Sequence, residues 1–375
     1  MIYLDNAATT LQKPAAVSQA MARAVKTMSS PGRGGHSATR MAEETAFACR
    51  EEASALFGVE NPENVIFTFN ATHALNIAIF SVVRPGMHVL ISGYEHNAVT
   101  RPLHAIPNIS LTVLDTPPFQ PEKMLEEFSK ALHNKIDAVV CNHVSNVFGC
   151  IQPVGEMAAL CAQREIPFIL DASQSAGVLP VRMDDLGAAY IAMPGHKGLY
   201  GPQGTGLLLC GRETRPLLFG GTGSLSVQQE MPEDLPDRLE AGTHNMPGIA
   251  GLLEGLRFVR QKGTAAIADH ERRLTMQACR LLQETEGVRV FWREGFAHQT
   301  GVLSFVVEGM DCQEVAQAMA GRGIALRAGL QCAPLAHKTV GTISTGTVRF
   351  SPSVFTTSAQ VEQFAQELRA VLRKK

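Results

Sequence analysis

Two apolar runs, each followed closely by polar residues, constrain the fold of this chain most. The first covers residues 166–170 and leads directly into Asp171, with Gln174 three residues further on. The second covers residues 188–193 and is followed within four residues by Lys197. Runs of this length and composition are typical of strands buried in a parallel α/β sheet. Because ligands bind beyond the carboxyl ends of such strands, we expect Asp171, Gln174 and Lys197 to face one crevice.

A lysine amine and a carboxylate in one crevice, beside the glycine-flanked sequence Gly195-His196-Lys197-Gly198, have the chemistry that pyridoxal phosphate (PLP) requires. The amine of Lys197 would form a Schiff base with the cofactor. The carboxylate of Asp171 would keep the pyridine nitrogen protonated, so that the ring withdraws electrons from a bound substrate. The sequence therefore predicts a PLP-dependent enzyme.

The composition argues against several other classes of protein. Of the 375 residues, 45% are hydrophobic and 18% are charged, and the formal net charge is −2. These values are ordinary for a globular protein and give no electrostatic case for nucleic acid or an anionic membrane. No apolar run approaches the ~20 residues that cross a bilayer. Residues 1–5 lack the charged and apolar regions of a signal peptide, so we expect a cytoplasmic enzyme that binds neither nucleic acid nor membrane.

Eight cysteines are scattered along the chain without a Cys-x-x-Cys pair. Seven of them fit the pattern of small buried hydrophobic residues in a reducing compartment. Cys332 differs, because it lies in a loop of glycine, alanine and proline, where we expect its thiol to be exposed. The nearby Arg327 favours the thiolate form. We expect no metal site.

The length and the alternation of elements predict two domains. Single cores rarely grow beyond ~250–300 residues, and this chain is longer. We predict a large domain over residues 13–250, in which strands and helices alternate. A smaller α+β domain would contain residues 1–12 and 251–375.

Three further polar residues follow predicted strands and are candidates for the same crevice. Thr72 lies where a strand turns into a helix, a junction whose free N–H groups bind phosphate, although an N-cap is the commoner role of threonine there. His96 either stacks on a planar cofactor or lies in a surface loop. Asn146 either donates to a cofactor oxygen or a substrate carboxylate, or forms a turn.

Other candidates lie in loops and in the second domain. Residues 29–37 form a glycine-rich loop with Arg33 and His36, which is either a linker or an edge of the active site. Residues 219–245 show little periodicity, over a length that is usually functional or disordered. Arg349 lies in an apolar strand, where its guanidinium needs either a ligand carboxylate or a structural salt bridge.

Taken together, these residues resemble the class V aminotransferase-like branch of fold-type I PLP enzymes, and most closely the cysteine desulfurases. The resemblance runs from Tyr3 to the helix after Arg349. Its most specific parts are three motifs: Asp171-x-x-Gln174, Gly195-His196-Lys197-x-x-Tyr200-Gly201-Pro202-x-Gly204-x-Gly206 and Arg327-x-Gly329-x-x-Cys332. It implies an α/β fold whose large domain has a mainly parallel seven-stranded sheet flanked by helices.

The resemblance also implies roles for individual residues. Lys197 would be the Schiff-base lysine, His96 the histidine that stacks on the cofactor ring, and Cys332 the nucleophile that attacks the substrate sulfur. Gln174 would bind the phenolic oxygen of PLP. The full set of implied cofactor-binding residues is Thr72, His73, His96, Asn146, Asp171, Gln174, His196, Lys197 and Thr243.

The resemblance further implies partners for the chain. Thr243 would reach the phosphate from a neighbouring subunit, which implies a homodimer with shared active sites. A sulfur-acceptor protein would take the sulfur away. The implied substrate-binding residues are Asn146, Arg349, Arg327 and His36.

The implied reaction converts L-cysteine to L-alanine. The freed Lys197 removes the α-proton of the substrate, and the Cys332 thiolate attacks the substrate sulfur, which leaves a persulfide on the enzyme. The short loop around Cys332 is similar to that of the desulfurase group that includes selenocysteine lyases, so L-selenocysteine is a second candidate substrate. Two residues depart from the pattern: many desulfurases have a phosphate-binding serine in place of Pro194, and His337 has no assigned role and is either a loop residue or a helper at the sulfur.

Two alternatives stay open at this point. Selenocysteine lyases, cysteine β-lyases and aminotransferases share the scaffold, and Cys332 discriminates among them because transamination needs no thiol. A protein that binds PLP or a partner without turnover is the alternative of another class, against which the intact Lys197 and Asp171 argue.

Overall fold

The computed structural model describes residues 1–32 and 34–373, in which thirteen strands and twelve α-helices follow one another. The strands are β1 (Ile2–Tyr3), β2 (Val65–Thr68), β3 (His88–Ser92), β4 (Ser110–Leu114), β5 (Ala138–Asn142), β6 (Phe168–Asp171), β7 (Tyr190–Pro194), β8 (Gly206–Cys210), β9 (Val288–Phe291), β10 (Leu303–Val307), β11 (Ile324–Ala325), β12 (Arg327–Gly329) and β13 (Thr347–Phe350). The helices are α1 (Ala15–Thr27), α2 (Ser37–Phe57), α3 (Ala71–Val82), α4 (Asn97–Ala105), α5 (Pro121–Ala131), α6 (Val154–Ala162), α7 (Met183–Leu186), α8 (Met246–Lys262), α9 (Thr264–Gln283), α10 (Cys312–Ala320), α11 (Pro334–Val340) and α12 (Ser358–Leu372). Arg33 and the last two residues of the predicted small domain lie outside the described residues.

Seven strands form one sheet, in the order β2-β8-β7-β6-β5-β3-β4. Five neighbouring strands, from β7 to β4, run parallel, whereas β8 runs antiparallel to both of its neighbours. The strands β5 to β8 are buried along their whole length, as expected when helices cover both faces of a sheet. The predicted α/β fold with a mainly parallel seven-stranded sheet is confirmed.

The two faces of this sheet belong to different hydrophobic cores. Successive residues of a strand point to opposite faces, and in β6 Leu170 packs into one core while Ile169 packs into the other. Both side chains are fully buried. Burial of one such side chain contributes about 1.5–3 kcal/mol to folding.

The strand register brings the carboxyl ends of the central strands together. Asn142, the last residue of β5, pairs with Asp171, the last residue of β6. Asp171 pairs in turn with Ala192 in β7, which ends two residues later at Pro194. Lys197 follows three residues beyond that end, so it lies on the same side of the sheet as Asp171.

A second, antiparallel sheet has the order β12-β13-β10-β9 and packs against α9, α10 and α12 in a third core. The amino terminus joins this region, because β1 pairs with β11 and Asp5 pairs with Ser351. The predicted domain bounds stay a prediction, and α8 runs across residue 250.

All eight cysteines carry free thiols, and Cys332 is the one that is exposed. Within residues 1–32 and 34–373, no helix is both long enough and apolar enough to cross a bilayer. No three His, Cys, Asp or Glu side chains of that part of the chain are grouped so that they could hold a metal ion.

Candidate active site

A cleft of about 210 Å³ opens at the carboxyl ends of β5, β6 and β7. Seven residues predicted from the sequence line it together: Thr72, His96, Asn146, Asp171, Gln174, His196 and Lys197. They come from five separate stretches of the chain. Parallel strands deliver them to one place because each polar residue follows a strand end on the same side of the sheet.

Lys197 lines this cleft, and its amine is buried although the residue as a whole is half-buried. Burial lowers the pKa of the amine to about 8, because the charged form loses its hydration. Asp171 acts in the opposite direction, since its carboxylate stabilises the ammonium form. A lysine with this pKa is a better proton acceptor and nucleophile at neutral pH than an exposed lysine.

Asp171 and Gln174 form one wall of the cleft. Asp171 is buried, and its Oδ1 accepts a hydrogen bond from the backbone N–H of Ser173 at 2.9 Å. The side-chain amide of Gln174 donates to the carbonyl of Ala7 at 2.9 Å, which ties this wall to the amino-terminal segment.

The N-terminus of α3 forms the opposite wall. Asn70 caps this helix, because its Oδ1 accepts from the backbone N–H of His73 at 2.9 Å. Thr72, in the first turn, lines the cleft. The His73 ring instead stacks on Phe69 with a centroid distance of 4.6 Å and lines a second cleft.

His96 caps α4, and its Nδ1 accepts from the backbone N–H of Ala98 at 3.0 Å. Burial and then the neighbouring Lys197 lower the pKa of the imidazole. The ring is therefore neutral near pH 7. The next residue, Asn97, donates its backbone N–H to the carbonyl of Cys332 at 2.8 Å.

The backbone of His196 is held firmly while part of its ring is unpaired. Its carbonyl accepts from the N–H of Thr10 at 3.0 Å and from Nζ of Lys13 at 3.2 Å. Burial, assisted by the charges of Lys197 and Lys13, lowers the pKa of the ring to about 4. Its buried Nδ1 has no hydrogen-bond partner among the residues that the structure describes.

Asp5, which was not among the predicted site residues, pairs with both predicted substrate-binding arginines. Arg349 is buried and contacts Asp5 Oδ1 at 2.7 Å, while Arg327 is half-exposed and contacts Oδ2 at 2.8 Å. Arg349 also donates to the carbonyl of Asn146 at 2.9 Å. A buried guanidinium without a carboxylate partner would destabilise the fold. Asp5 is that partner for Arg349, a role for which the sequence indicated no residue.

Residues Gln331–Ala333, which we call the sulfur loop, carry Cys332 next to this cleft. Gln331 and Cys332 have φ angles of 41° and 57°, in the left-handed region that side chains with a Cβ rarely adopt. Asn146 Nδ2 donates to the carbonyl of Gln331 at 2.8 Å. Because Asn146 lines the cleft, this contact joins the sulfur loop to it.

Two more predicted residues, besides His73, lie outside the cleft. Thr243 is exposed and lines the second cleft with Phe69 and His73. His36 is exposed at the N-terminus of α2, where its Nδ1 accepts from the backbone N–H of Thr39 at 3.3 Å. Within this chain, neither residue reaches the surroundings of Lys197.

Two further residues, the exposed Asn70 in the cleft lining and the buried Glu95 beside it, were also missed at the sequence level. Asn70 is recognisable in retrospect as an N-cap residue before an apolar helix. Glu95 accepts from the backbone N–H of Asn142 at 2.9 Å, and burial raises its pKa to about 8. Nothing in the sequence around Glu95 distinguishes it from a surface glutamate.

Comparisons with known proteins agree with this fold. The family model for class V aminotransferases matches residues 2–364. A probable cysteine desulfurase of Mycolicibacterium paratuberculosis is 30% identical over 99% of this chain, and the chain spans 55% of that relative's length. A probable cysteine desulfurase of Methanothermobacter thermautotrophicus is 29% identical over 99% of this chain and 94% of its own length. The apo structure of a cysteine desulfurase from Thermococcus onnurineus NA1 superposes with a TM-score of 0.92, at 29% identity, over 100% of this chain and 95% of the other.

Proposed function

Because the chain belongs to the class V aminotransferase family, we propose that it is a PLP-dependent cysteine desulfurase that carries sulfur on Cys332. L-cysteine and the Cys332 thiol would react to give L-alanine and a Cys332 persulfide. The carbon–sulfur bond of the substrate breaks, a sulfur–sulfur bond forms, and the thiol proton of Cys332 and the hydrogens of the substrate are all retained in the products. The reaction therefore needs no external oxidant or reductant until the persulfide is passed on.

Members of this family use PLP, and the donors of the cleft fit that group. An amine, a carboxylate and two partly unpaired polar groups meet there, since His196 Nδ1 and Asn146 Oδ1 have no partner among the described residues. When bound, PLP supplies an electron sink for negative charge at the α-carbon of the substrate. The resemblance implies the residues that would hold it, with Thr243 contributed by a second copy: Thr72, His73, His96, Asn146, Asp171, Gln174, His196 and Lys197.

Lys197 would move the proton at the substrate's α-carbon. With a pKa of about 8, roughly a tenth of such amines are neutral at pH 7, so Nζ can both accept and return a proton. The ring of His96 is neutral, so it adds no charge of its own beside Lys197 and Asp171.

Arg349 would orient the carboxylate of the substrate. Its Nε is buried without a partner among residues 1–32 and 34–373, while its terminal nitrogens already bind Asp5 and Asn146. Asp5 therefore holds the guanidinium in place and leaves the Nε–H for a ligand. The half-exposed Arg327 would assist, since it shares the same carboxylate.

The observation that carries the proposal is the place of Cys332. It is an exposed thiol on a loop that is joined to the cleft by the hydrogen bond from Asn146, a residue of the cleft lining, to the carbonyl of Gln331. A direct β-lyase or an aminotransferase has no need of a thiol in this position. An exposed thiol also suits the release of sulfur to a second molecule, which we propose is an acceptor protein.

The test is L-cysteine turnover by the PLP-loaded protein, with a thiol reductant present and alanine and sulfide both measured. Wild type should form alanine, and Cys332→Ala should lose this activity while it keeps the absorbance of the bound cofactor. Cys312→Ala, which removes a buried thiol of the same domain, is the matched control and should stay active. Equal activity in Cys332→Ala would make the protein a lyase. Turnover of L-selenocysteine but not of L-cysteine by wild type would show that L-selenocysteine is the substrate.

We further propose that the protein is a homodimer. Exposed apolar side chains surround the second cleft and its rim, among them Phe69, Leu218 and Phe219, the last 78% exposed. Thr243 lies in the same cleft, so a second copy that covers this surface would receive Thr243 at its own site. Light scattering of the protein as it elutes from a size-exclusion column would give twice the mass of one chain. Phe219→Asp would reduce the measured mass.

We also propose a cytoplasmic location and two domains divided near residue 250. Eight free thiols, seven of them buried, are typical of a protein from a reducing compartment. Limited proteolysis would test the division, with cleavage expected close to residue 250, near the start of α8.

A further inference from the structure

His337 is buried in α11, five residues after Cys332, and both of its ring nitrogens are paired. Nδ1 lies 2.8 Å from the hydroxyl of Thr342, and Nε2 lies 3.0 Å from Oε1 of Gln331. Gln331 is the residue immediately before Cys332. The histidine that had no role in the sequence therefore contacts the sulfur loop directly.

The direction of each of these hydrogen bonds follows from the contact between Gln331 and Thr347. Gln331 Nε2 donates to the carbonyl of Thr347 at 2.9 Å, so Gln331 Oε1 is left as an acceptor. His337 Nε2 must then carry the proton, and Nδ1 accepts from the hydroxyl of Thr342. Burial lowers the pKa of His337 to about 4, which keeps the ring neutral and in this one tautomer near pH 7.

These bonds hold a backbone that is unfavourable by itself. Gln331 and Cys332 both have left-handed φ angles, a conformation that persists only where surrounding contacts enforce it. Gln331 is fixed by His337 and Thr347 through its side chain and by Asn146 through its carbonyl. Removal of His337 takes away the only one of these partners that lies in the helix directly after the loop.

We propose that His337 is a positioning residue for Cys332, and that it acts through Gln331 to hold the sulfur loop with its thiol next to the cleft. The inference rests on the proposed function, because a fixed thiol matters only if Cys332 receives sulfur from a bound substrate. Thr342 contributes to the same positioning, because its hydroxyl donates to Nδ1 of His337 and so selects the tautomer whose Nε2–H donates to Gln331.

The test compares His337→Phe and His337→Gln as PLP-loaded enzymes. Glutamine offers a donor and an acceptor at nearly the spacing of the two ring nitrogens, whereas phenylalanine fills the volume and offers neither. His337→Phe should lower kcat by at least about tenfold per cofactor-loaded site while KM for L-cysteine changes less than about twofold, because the thiol and not the carboxylate site is displaced. His337→Gln should restore kcat to within about threefold of wild type.

Hydrogen–deuterium exchange gives a readout that does not depend on activity. The N–H groups of Ala333 and Asn97 bond to carbonyls of Leu330 and Cys332, so His337→Phe should raise deuterium uptake there and His337→Gln should not. Wild-type kcat per loaded site in His337→Phe would overturn the proposal, as would an equal loss in both variants with an unchanged Tm. If wild type itself fails to turn over L-cysteine, the proposed function falls, and unchanged uptake in His337→Phe would then overturn the positioning role separately.

Discussion

Lys197 lines the cleft and Cys332 lies on a loop that is hydrogen-bonded to the cleft residue Asn146, yet the surroundings of the two groups are opposite. The amine of Lys197 is buried just beyond a central strand of the seven-stranded sheet, in the cleft that it lines with Asp171 and His196. The thiol of Cys332 is exposed, on a loop that connects β12 of the smaller sheet to α11. One reactive group is thus part of the main scaffold, and the other is held beside it by a few hydrogen bonds.

The difference follows from what each group must do. A proton carrier at neutral pH needs a lowered pKa, and burial lowers the pKa of Lys197 to about 8. A sulfur carrier must meet a small substrate on one side and a second molecule on the other, so it cannot be buried. The scaffold can therefore fix Lys197 through strand register, whereas Cys332 depends on local contacts such as those of Gln331 and Asn146.

Removal of the buried amine should have the largest effect. Lys197→Ala should lower L-cysteine turnover by about 10³-fold or more, since both cofactor attachment and proton transfer depend on Nζ. Steady-state alanine formation measures this. Lys262→Ala, at an exposed position in the last turn of α8, is the control and should match wild type. Substantial activity in Lys197→Ala would remove Lys197 from the reaction.

Arg349 and Arg327 both form an ion pair with Asp5, so their removal compares a buried pair with a half-exposed pair on the same carboxylate. Arg349→Met should lower the free energy of unfolding by about 3 kcal/mol, because it removes one member of a buried ion pair. Arg327→Met removes a half-exposed partner of the same carboxylate and should cost less than about 1 kcal/mol. Urea unfolding measures both. Equal losses would show that burial does not decide the strength of these contacts.

The pKa of Lys197 predicts a smaller, pH-dependent effect. Only the neutral amine attacks an aldehyde, and the lowered pKa of about 8 means that this form grows as the pH rises toward and past 8. Uptake of PLP by the cofactor-free protein should therefore speed up about fivefold from pH 7 to pH 8 and level off above pH 9. Stopped-flow absorbance follows this step. A rate that is flat between pH 6 and pH 9 would mean that burial does not tune the amine.

The parts of the site that follow from local sequence were predictable. Asp171 and Lys197 each follow an apolar strand, and the parallel sheet brings such residues to one edge whatever the rest of the chain does. Cys332 was identified by the small residues around it, and the structure places it as the exposed cysteine. In each case the signal lies within a few residues of the side chain concerned.

The contacts between distant segments were not predictable. Asp5 and Arg349 are 344 residues apart, and only the packing of the amino terminus on the second sheet brings them together. His73 and Thr243 line a cleft other than the one around Lys197, because the Asn70 cap and the stacking on Phe69 orient His73 away from it. The sequence left His337 open between a loop residue and a helper at the sulfur, since its partners Gln331 and Thr342 are ordinary loop residues until their geometry is known.

The most direct test of the account is to locate the sulfur after one turnover. The PLP-loaded protein would be mixed with L-cysteine without reductant, blocked with an alkylating reagent and digested for mass spectrometry. The account predicts one additional sulfur atom on the peptide that contains Cys332, formed together with alanine, and none on the seven buried cysteines. Alanine formation with no sulfur on Cys332, or with the sulfur on another cysteine, would contradict it.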